Sequence, residues 1–432
     1  MKKPPRSAAF VQKSNLLLAM IGRNFKAAYG RGDFVAALHY AEQAQRLHPQ
    51  SLAALSDRAL CHLKLGAAQK AVDLALPLGQ SPEVSLALLD ILSEAYGTLG
   101  DFEAMRLWGR KALQKRDQIF GQSQPAALPK TCAKSLPPPP SRASKAKNII
   151  AYTLFGDLPK YCETAVLNTQ LAPQFYPDWG LVIYLDDSVP DHVVARLKEN
   201  GAQLIFVGPE MKKWPAPMWR FAAYDLPDLD RVIFRDADAL LSPREALSVA
   251  DWIASGRAFH HMRDAPSHSE LLLAGLWGTI GGALPPMAAA IRRFLAKGVE
   301  SAHFADQYFL REYVWPYARA DLFENDSLFG AFADQAPADA APAGPALISQ
   351  AFAEGPYRES FHVGCAEMRR IDIACDLPEG SRARWSILEG AQRRPRCHYL
   401  GPVKAGAIEA LLPSRYVDEL EKGEIIITCA PA

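Results

Sequence analysis

The chain of 432 residues contains no run of about eighteen apolar residues, so no segment of it reads as a transmembrane helix. It has no excess of charge either. Lys and Arg number 48 against 47 Asp and Glu, a formal net charge of +1, which excludes a global attraction to nucleic acid or to an anionic membrane. CxxC is absent. The seven cysteines (Cys61, Cys132, Cys162, Cys365, Cys375, Cys397 and Cys429) are odd in number and scattered. That pattern argues against a zinc site and for reduced thiols in a cytoplasm. A basic start is present, but Gln12, Lys13, Ser14 and Asn15 interrupt the apolar residues after it, so the N-terminus does not read as a signal peptide. The expectation is a cytoplasmic protein. What the chain does have is length enough for two or three cores and, with 49% hydrophobic and 22% charged residues, the composition of a globular protein.

The first hundred-odd residues repeat. Gly32, Gly66 and Gly100 lie 34 residues apart, the period of tetratricopeptide helix pairs. Each follows a helix-like run and precedes another, in AAYGRGDFVAAL, CHLKLGAAQKAV and AYGTLGDFEAMR. Ala37 and Ala71 fall in register, with Met105 in the third copy; Ala44 and Ala112 do the same, with Leu78 between them. Glycine suits the turn because it tolerates positive φ, and alanine permits close helix approach. The pattern resembles a three-copy tetratricopeptide unit, and residues 1–118 are expected to form an all-α domain. Residues 119–147, with SLPPPPSRASKAK, lose hydrophobic periodicity and read as a linker.

After Asn148 short apolar runs alternate with amphipathic stretches. NIIAYTLFG, LVIYLDD, QLIFVG and RVIFRDAD read as strands; YCETAVLNTQLAPQ, DHVVARLKENG and MWRFAAYDL read as helices. That alternation predicts an α/β domain over 148–330 with a mostly parallel sheet, whose ligands bind beyond the carboxyl ends of the strands. Residues 331–432 read as a C-terminal extension packed on it, ending in a strand at GEIIITC.

The fourth strand runs directly into Asp236-Ala237-Asp238. In an extended segment the two aspartates face the same side. Two same-side carboxylates suit a hard divalent cation that takes oxygen ligands and keeps waters or phosphate oxygens. The alternative is that they cap the next helix or bond to backbone. That helix already has Ser242-Pro243-Arg244-Glu245, a good cap with proline first. A haloacid-dehalogenase-type phosphatase also uses strand-DxD, but on its first strand and followed by Gly-Thr or Gly-Val; here Ala-Leu-Leu follows.

Taken together, VIFRDADALLSPREA, MWRFAAYDL, FHHMRDAPSH, LLLAGLWG and ADQYFL resemble the GT-A-type glycosyltransferase-like proteins of bacteria and viruses, which carry RDxDSxLxxRE and HxMRDHPxH. The resemblance covers about residues 148–330. Two positions depart from the pattern: Ala239 stands where serine is common, and Ala265 stands where relatives have histidine. The family implies a nucleotide-sugar donor, a Mn²⁺ or Mg²⁺ ion, and a glycan or protein acceptor.

The resemblance implies roles residue by residue. Asp236 and Asp238 match the metal and diphosphate pair, and His362 matches a histidine that completes the metal shell, or is structural. Tyr152, Thr153 and Gly156 match the nucleoside end of the first strand, or an ordinary turn. Arg220 and Arg235 are placed on the donor, Arg220 alternatively in a surface salt bridge. Asp186 and Asp187 meet the ribose or cap their loop. Gly275 allows close backbone approach, and Trp277 offers a face to a sugar or belongs to the core. Asp306 and Gln307 face the reacting sugar as base or charge stabiliser, or Asp306 merely favours the helix dipole. Asp264, with His268 and the pair His260 and His261, acts as a base on the acceptor or packs.

The sequence thus leads to a metal-dependent glycosyltransferase for polysaccharide or protein, with a repeat domain that recruits acceptor or a protein partner. The alternative is a catalytically inactive scaffold of the same two parts.

Overall fold

The computed structural model describes residues 8–81, 83–122, 125, 127, 135–263, 265–299, 301–302, 304–326, 328–332 and 368–432. Contacts divide the chain into two units.

Among its described residues the first unit carries six helices in three hairpins: α1 (Ala8–Gly30) with α2 (Phe34–Leu47), α3 (Leu52–Lys64) with α4 (Ala68–Gly79), and α5 (Leu86–Thr98) with α6 (Phe102–Phe120). The glycines of the 34-residue period make the turns, at φ +74°, +76° and +78° for Gly32, Gly66 and Gly100, where any side chain would strain the backbone. Asp33, Ser51 and Ser85 accept from the backbone N–H three residues on and so start α2, α3 and α5, each worth about 1 kcal/mol. The in-register Ala37, Ala71 and Met105 are fully buried, as close hairpin packing requires.

The same unit takes in two short segments from later in the chain, Ala265–Glu270 and residues 328–332. Pro266 sits where Gly97 leaves no Cβ to meet it, and Phe329 where Gly109 leaves none. Ser93 donates to the Pro266 carbonyl at 2.8 Å. Buried Arg116 pairs with Asp90 at 2.6 Å and with Glu270 at 3.2 Å, and Arg110 donates twice to the Phe329 carbonyl. The part of MRDAPSH from Ala265 onward therefore belongs to the helical unit, while its Asp264 lies outside the described residues.

The second unit holds a seven-stranded, mostly parallel sheet in the order β3-β2-β1-β4-β6-β5-β7. The strands are β1 (Asn148–Leu154), β2 (Gly180–Leu185), β3 (Gln203–Phe206), β4 (Arg231–Phe234), β5 (Phe259–Arg263), β6 (Trp277–Ile280) and β7 (Leu322–Asp326). Helices α7 (Pro159–Phe175) and α8 (Asp191–Glu199) connect β1 to β2 and β2 to β3. β6 runs antiparallel to β4 and β5. Every residue of β1 is buried, as a central parallel strand covered on both faces should be. The chain builds outward from β1 through β2 to β3, then returns to place β4 on the other side of β1. The switch point where open α/β sheets bind ligands thus falls between the ends of β1 and β4.

Helix α9 (Pro243–Ser255) starts as expected, with Ser242 accepting from Glu245 N–H at 3.2 Å. Part of the linker is tied down: Arg231 donates to the carbonyls of Pro137 and Pro138, and Arg142–Lys147 form a 3₁₀ turn. The C-terminal segment forms two antiparallel sheets, β8 (Met368–Ala374) with β11 (Ala407–Pro413), and β9 (Arg382–Glu389) between β10 (Arg394–Pro402) and β12 (Ile425–Pro431). Cys375 and Cys429 are joined in a disulfide across these sheets, with Cα atoms 5.7 Å apart. This corrects the expectation that all thiols are reduced. The two cysteines are 54 residues apart, and only the packing of one small sheet on the other brings them together.

Candidate active site

The site is built where β1 and β4 end. β4 stops at Phe234, and the chain turns: Ala239 N–H donates to the Asp236 carbonyl at 3.1 Å. Asp236 and Asp238 therefore sit in a tight turn and not in an extended strand, so strand alternation does not set their directions. They are close enough to feel each other, however. Burial, and then the Asp236 charge, push the Asp238 carboxyl above its ordinary range, while Lys160 opposes this. The turn is pinned from below by buried Asn168, which donates to the Ala239 carbonyl at 2.7 Å and accepts from Leu241 N–H at 2.9 Å.

Two cations face the pair. Arg220, whose side chain is 3% exposed, lies 3.0 Å from Asp236 Oδ1. The same nitrogen lies 3.0 Å from Asp306 Oδ2. Arg220 stands in the 3₁₀ segment Ala216–Asp225, and its backbone N–H donates to Thr153 Oγ1 at 2.9 Å. Thr153 thus acts on the arginine's position. Lys160, in the first turn of α7, reaches to 3.6 Å from Asp238 Oδ2 and lies over the ring of Tyr161. The sequence reading passed over Lys160; its one signal was a position just after the proline that opens a helix following β1.

Asp306 lies in the first turn of the short helix α11 (Ala305–Phe309) and accepts from Gln307 N–H at 2.9 Å. It is buried, which raises its carboxyl pKa, with Arg220 pulling down and Asp236 pushing up. Gln307, with its amide turned to satisfy both ends, donates to the Leu272 carbonyl and accepts from Ala274 N–H. It therefore fixes the backbone that leads to Gly275. A Cβ at 275 would collide with the Asp236 carboxylate, so glycine is needed for Asp236 to lie where it does.

The end of β1 is different from expectation. Tyr152 is enclosed in the sheet at 1% exposure, near Glu245 and Arg235. The aromatic face open to solvent is Phe155, 46% exposed, with Trp219 at its edge 6.0 Å away. Gly156, at φ +74°, donates its N–H to Ser188 Oγ at 2.7 Å, and Ser188 donates in turn to Asp186. Asp186 thus shapes the loop beside Gly156, and Asp187 pairs with Lys212 at 2.9 Å.

Other sequence candidates lie in the interior. Arg235 is wholly buried and bonded to Glu245 and to the carbonyls of Phe234 and Trp277; its guanidinium supports the sheet rather than the open turn. Trp277 stacks on Phe234 in the core. His261 accepts from Leu273 N–H at 2.9 Å, and its ring is held neutral by burial and nearby Arg263. His260 bonds Asn325. His362 lies outside the described residues, as does Asp264.

Among the described residues no group of three His, Cys, Asp or Glu side chains gathers, so no all-protein metal cage is present there. Two interacting carboxylates, with side chains 46% and 37% exposed, are nevertheless a fit for Mg²⁺ or Mn²⁺. Such ions are commonly held by one or two carboxylates together with waters and substrate phosphates.

No family model and no curated protein matches the chain. Among solved structures it is similar to an O-GlcNAc transferase mutant of Thermobaculum terrenum, at 15% identity and a TM-score of 0.24, over 51% of this chain and 46% of that one. It thus spans under half the length of that protein. It is also similar to the mannosyl-3-phosphoglycerate synthase of Rubrobacter xylanophilus, at 11% identity and a TM-score of 0.27, over 65% of this chain and 93% of that one. Likenesses this distant carry no argument about the reaction, which has to come from the site.

Proposed function

We propose that the protein is a GT-A-type glycosyltransferase that moves a sugar from a nucleotide-diphosphate sugar to a hydroxyl of a glycan or protein. The observation that carries this reading is the Asp236–Asp238 turn at the switch point of the sheet, flanked by Arg220 and Lys160. A diphosphate there meets the partly exposed ammonium of Lys160, while the Arg220 guanidinium, held by Asp236 and Asp306, adds positive charge from behind the turn. Phe155 offers the base a face to stack on, and the Gly156–Ser188 loop borders it.

Asp236 and Asp238 would hold Mn²⁺ or Mg²⁺. When bound, such an ion supplies positive charge to the departing diphosphate. In the transfer the acceptor oxygen bonds the anomeric carbon, the bond from that carbon to the phosphate oxygen breaks, and the nucleoside diphosphate leaves. Asp306, whose carboxyl burial raises above its ordinary range, takes the hydroxyl proton. Gln307 holds the backbone before Gly275, and the missing Cβ at 275 leaves room for the Asp236 carboxylate. In this reading the protein acts in polysaccharide or protein glycosylation, and its helical repeats meet an acceptor or a protein partner.

Thermal unfolding in the presence of Mn²⁺ and a panel of nucleotide sugars tests it. A stabilising shift with one donor supports the transferase. No shift with any donor would leave a catalytically inactive scaffold.

A further inference from the structure

A cavity of about 490 Å³ opens in the second unit, where α7 and α8 meet β10 and the helix Ser414–Glu421. Its volume falls within the roughly 300–1,000 Å³ of small-molecule sites. Three guanidiniums line it, those of Arg196, Arg396 and Arg415, and so do three carboxylates, those of Glu199, Glu389 and Glu419.

Two of these guanidiniums and two of the carboxylates are paired with one another. Arg396 pairs with Glu389 at 2.7 Å and with Glu419, and Arg415 pairs with Glu419 at 3.1 Å. Arg196 is held from behind by fully buried Glu163, with 2.9 Å to each carboxylate oxygen. The hydroxyls of Tyr399 and Tyr416 complete that carboxylate's shell, at 2.5 and 2.6 Å. His192 adds a ring whose burial pushes its pKa down to about 4, so it is uncharged at neutral pH.

This balance decides the ligand. An anion would gain the arginines but face the carboxylates that already hold them; a cation would meet the reverse. Either would compete with pairs already formed, the fairly enclosed Arg396–Glu419 among them, and weakening such a pair is costly. A ligand with no net charge and many hydroxyls avoids that cost, because each hydroxyl both donates and accepts. It would find guanidinium donors beside carboxylate acceptors, with the amides of Gln170 and Asn200 added. Leu167, Pro395 and the Tyr416 ring supply apolar wall for the C–H faces of such a molecule.

We propose that this cavity is a saccharide-binding site, separate from the carboxylate turn after β4, that takes an uncharged mono- or disaccharide unit. The proposal goes beyond the transferase reading and does not depend on it, because binding here needs neither nucleotide nor metal.

Saturation-transfer NMR on the full chain, with maltose, lactose and N,N′-diacetylchitobiose as probes, tests it. Transfer to at least one probe is expected. Binding should weaken at least about tenfold in a Gln170→Leu, Asn200→Leu double variant and persist in Asp236→Asn. Arg415→Gln, at a side chain 54% exposed, is expected to weaken binding as well, and serves should the double variant not fold. Absence of transfer to all three probes would overturn the proposal. So would binding that survives the wall substitutions, or binding lost in Asp236→Asn, which would place the sugar at the proposed donor site. Saccharide binding without any nucleotide binding would leave this site standing and remove the transferase reading.

Discussion

Arg220 Nη2 lies 3.0 Å from Asp236 Oδ1 and, on its other side, 3.0 Å from Asp306 Oδ2. A nearly enclosed guanidinium thus joins the turn after β4 to the start of α11, and it is the only group in that triangle with positive charge. Replacing it by methionine keeps much of the volume and leaves two carboxylates facing each other, one of them buried. Breaking a buried pair in this way costs about 3–5 kcal/mol, and the lower end applies because Asp236 is half open to water. Denaturant unfolding of Arg220→Met should show a loss of about 3 kcal/mol. Arg220→Lys should recover only part of it, since one ammonium does not reproduce the planar fork. Wild-type stability in Arg220→Met would contradict the assignment.

Gly275→Ala should disable the site without unfolding the protein. The added methyl would occupy the place of the Asp236 carboxylate, and the carboxylate is the part with room to move. A displacement of about 1 Å costs on the order of a hundredfold in activity. Calorimetric titration with Mn²⁺, together with turnover of whichever donor is accepted, should show binding and rate falling together. A variant that binds Mn²⁺ as tightly as the parent would contradict the role given to this glycine.

Asp238 sets a pH dependence whose sign is fixed by its surroundings. Burial and Asp236 raise its pKa in the folded protein, so the folded state favours the protonated carboxyl. Its contribution to stability is present in full below the unfolded value of about 3.9 and is lost as pH rises through the raised folded value. At neutral pH the ionised side chain therefore works against folding. Asp238→Asn should raise the melting temperature at pH 7 and weaken Mn²⁺ binding. In the parent protein, Mn²⁺ affinity should climb with pH through a window above that of an ordinary aspartate. A lower melting temperature in Asp238→Asn would contradict this.

The Cys375–Cys429 bridge predicts that peptide mapping after alkylation without reductant finds both cysteines unmodified and linked. Reduction should cost about 2–4 kcal/mol, with the earliest loss of amide protection in β8 and β12. Both cysteines alkylated in the unreduced protein would contradict the pairing.

Much of this architecture is legible in the sequence, for definite reasons. The 34-residue glycine period marks three turns that need positive φ, and the continuous apolar run Asn148–Leu154 marks a strand covered on both faces. Asp236 and Asp238 stand out because carboxylates after such a run are costly without compensation. What the sequence hides is direction and distance. Tyr152 and Phe155 are both aromatic and three positions apart, yet one lies inside the sheet and the other one residue beyond its edge. Arg235 sits beside Asp236 in the chain but is drawn inward to Glu245. Lys160 is 78 positions from Asp238 and joins it only because α7 starts at the switch point. Ala265–Glu270 reads as a loop of the α/β domain, whereas Gly97 and Arg116 enrol it in the helical unit.

The most direct test is isothermal titration of the full chain with UDP and with GDP, each with and without Mn²⁺, repeated for Asp236→Asn. The account predicts that at least one nucleotide binds, that binding depends on Mn²⁺, and that Asp236→Asn weakens it at least about tenfold. Nucleotide binding that is indifferent to both Mn²⁺ and Asp236→Asn, or the absence of binding under every condition, would contradict it.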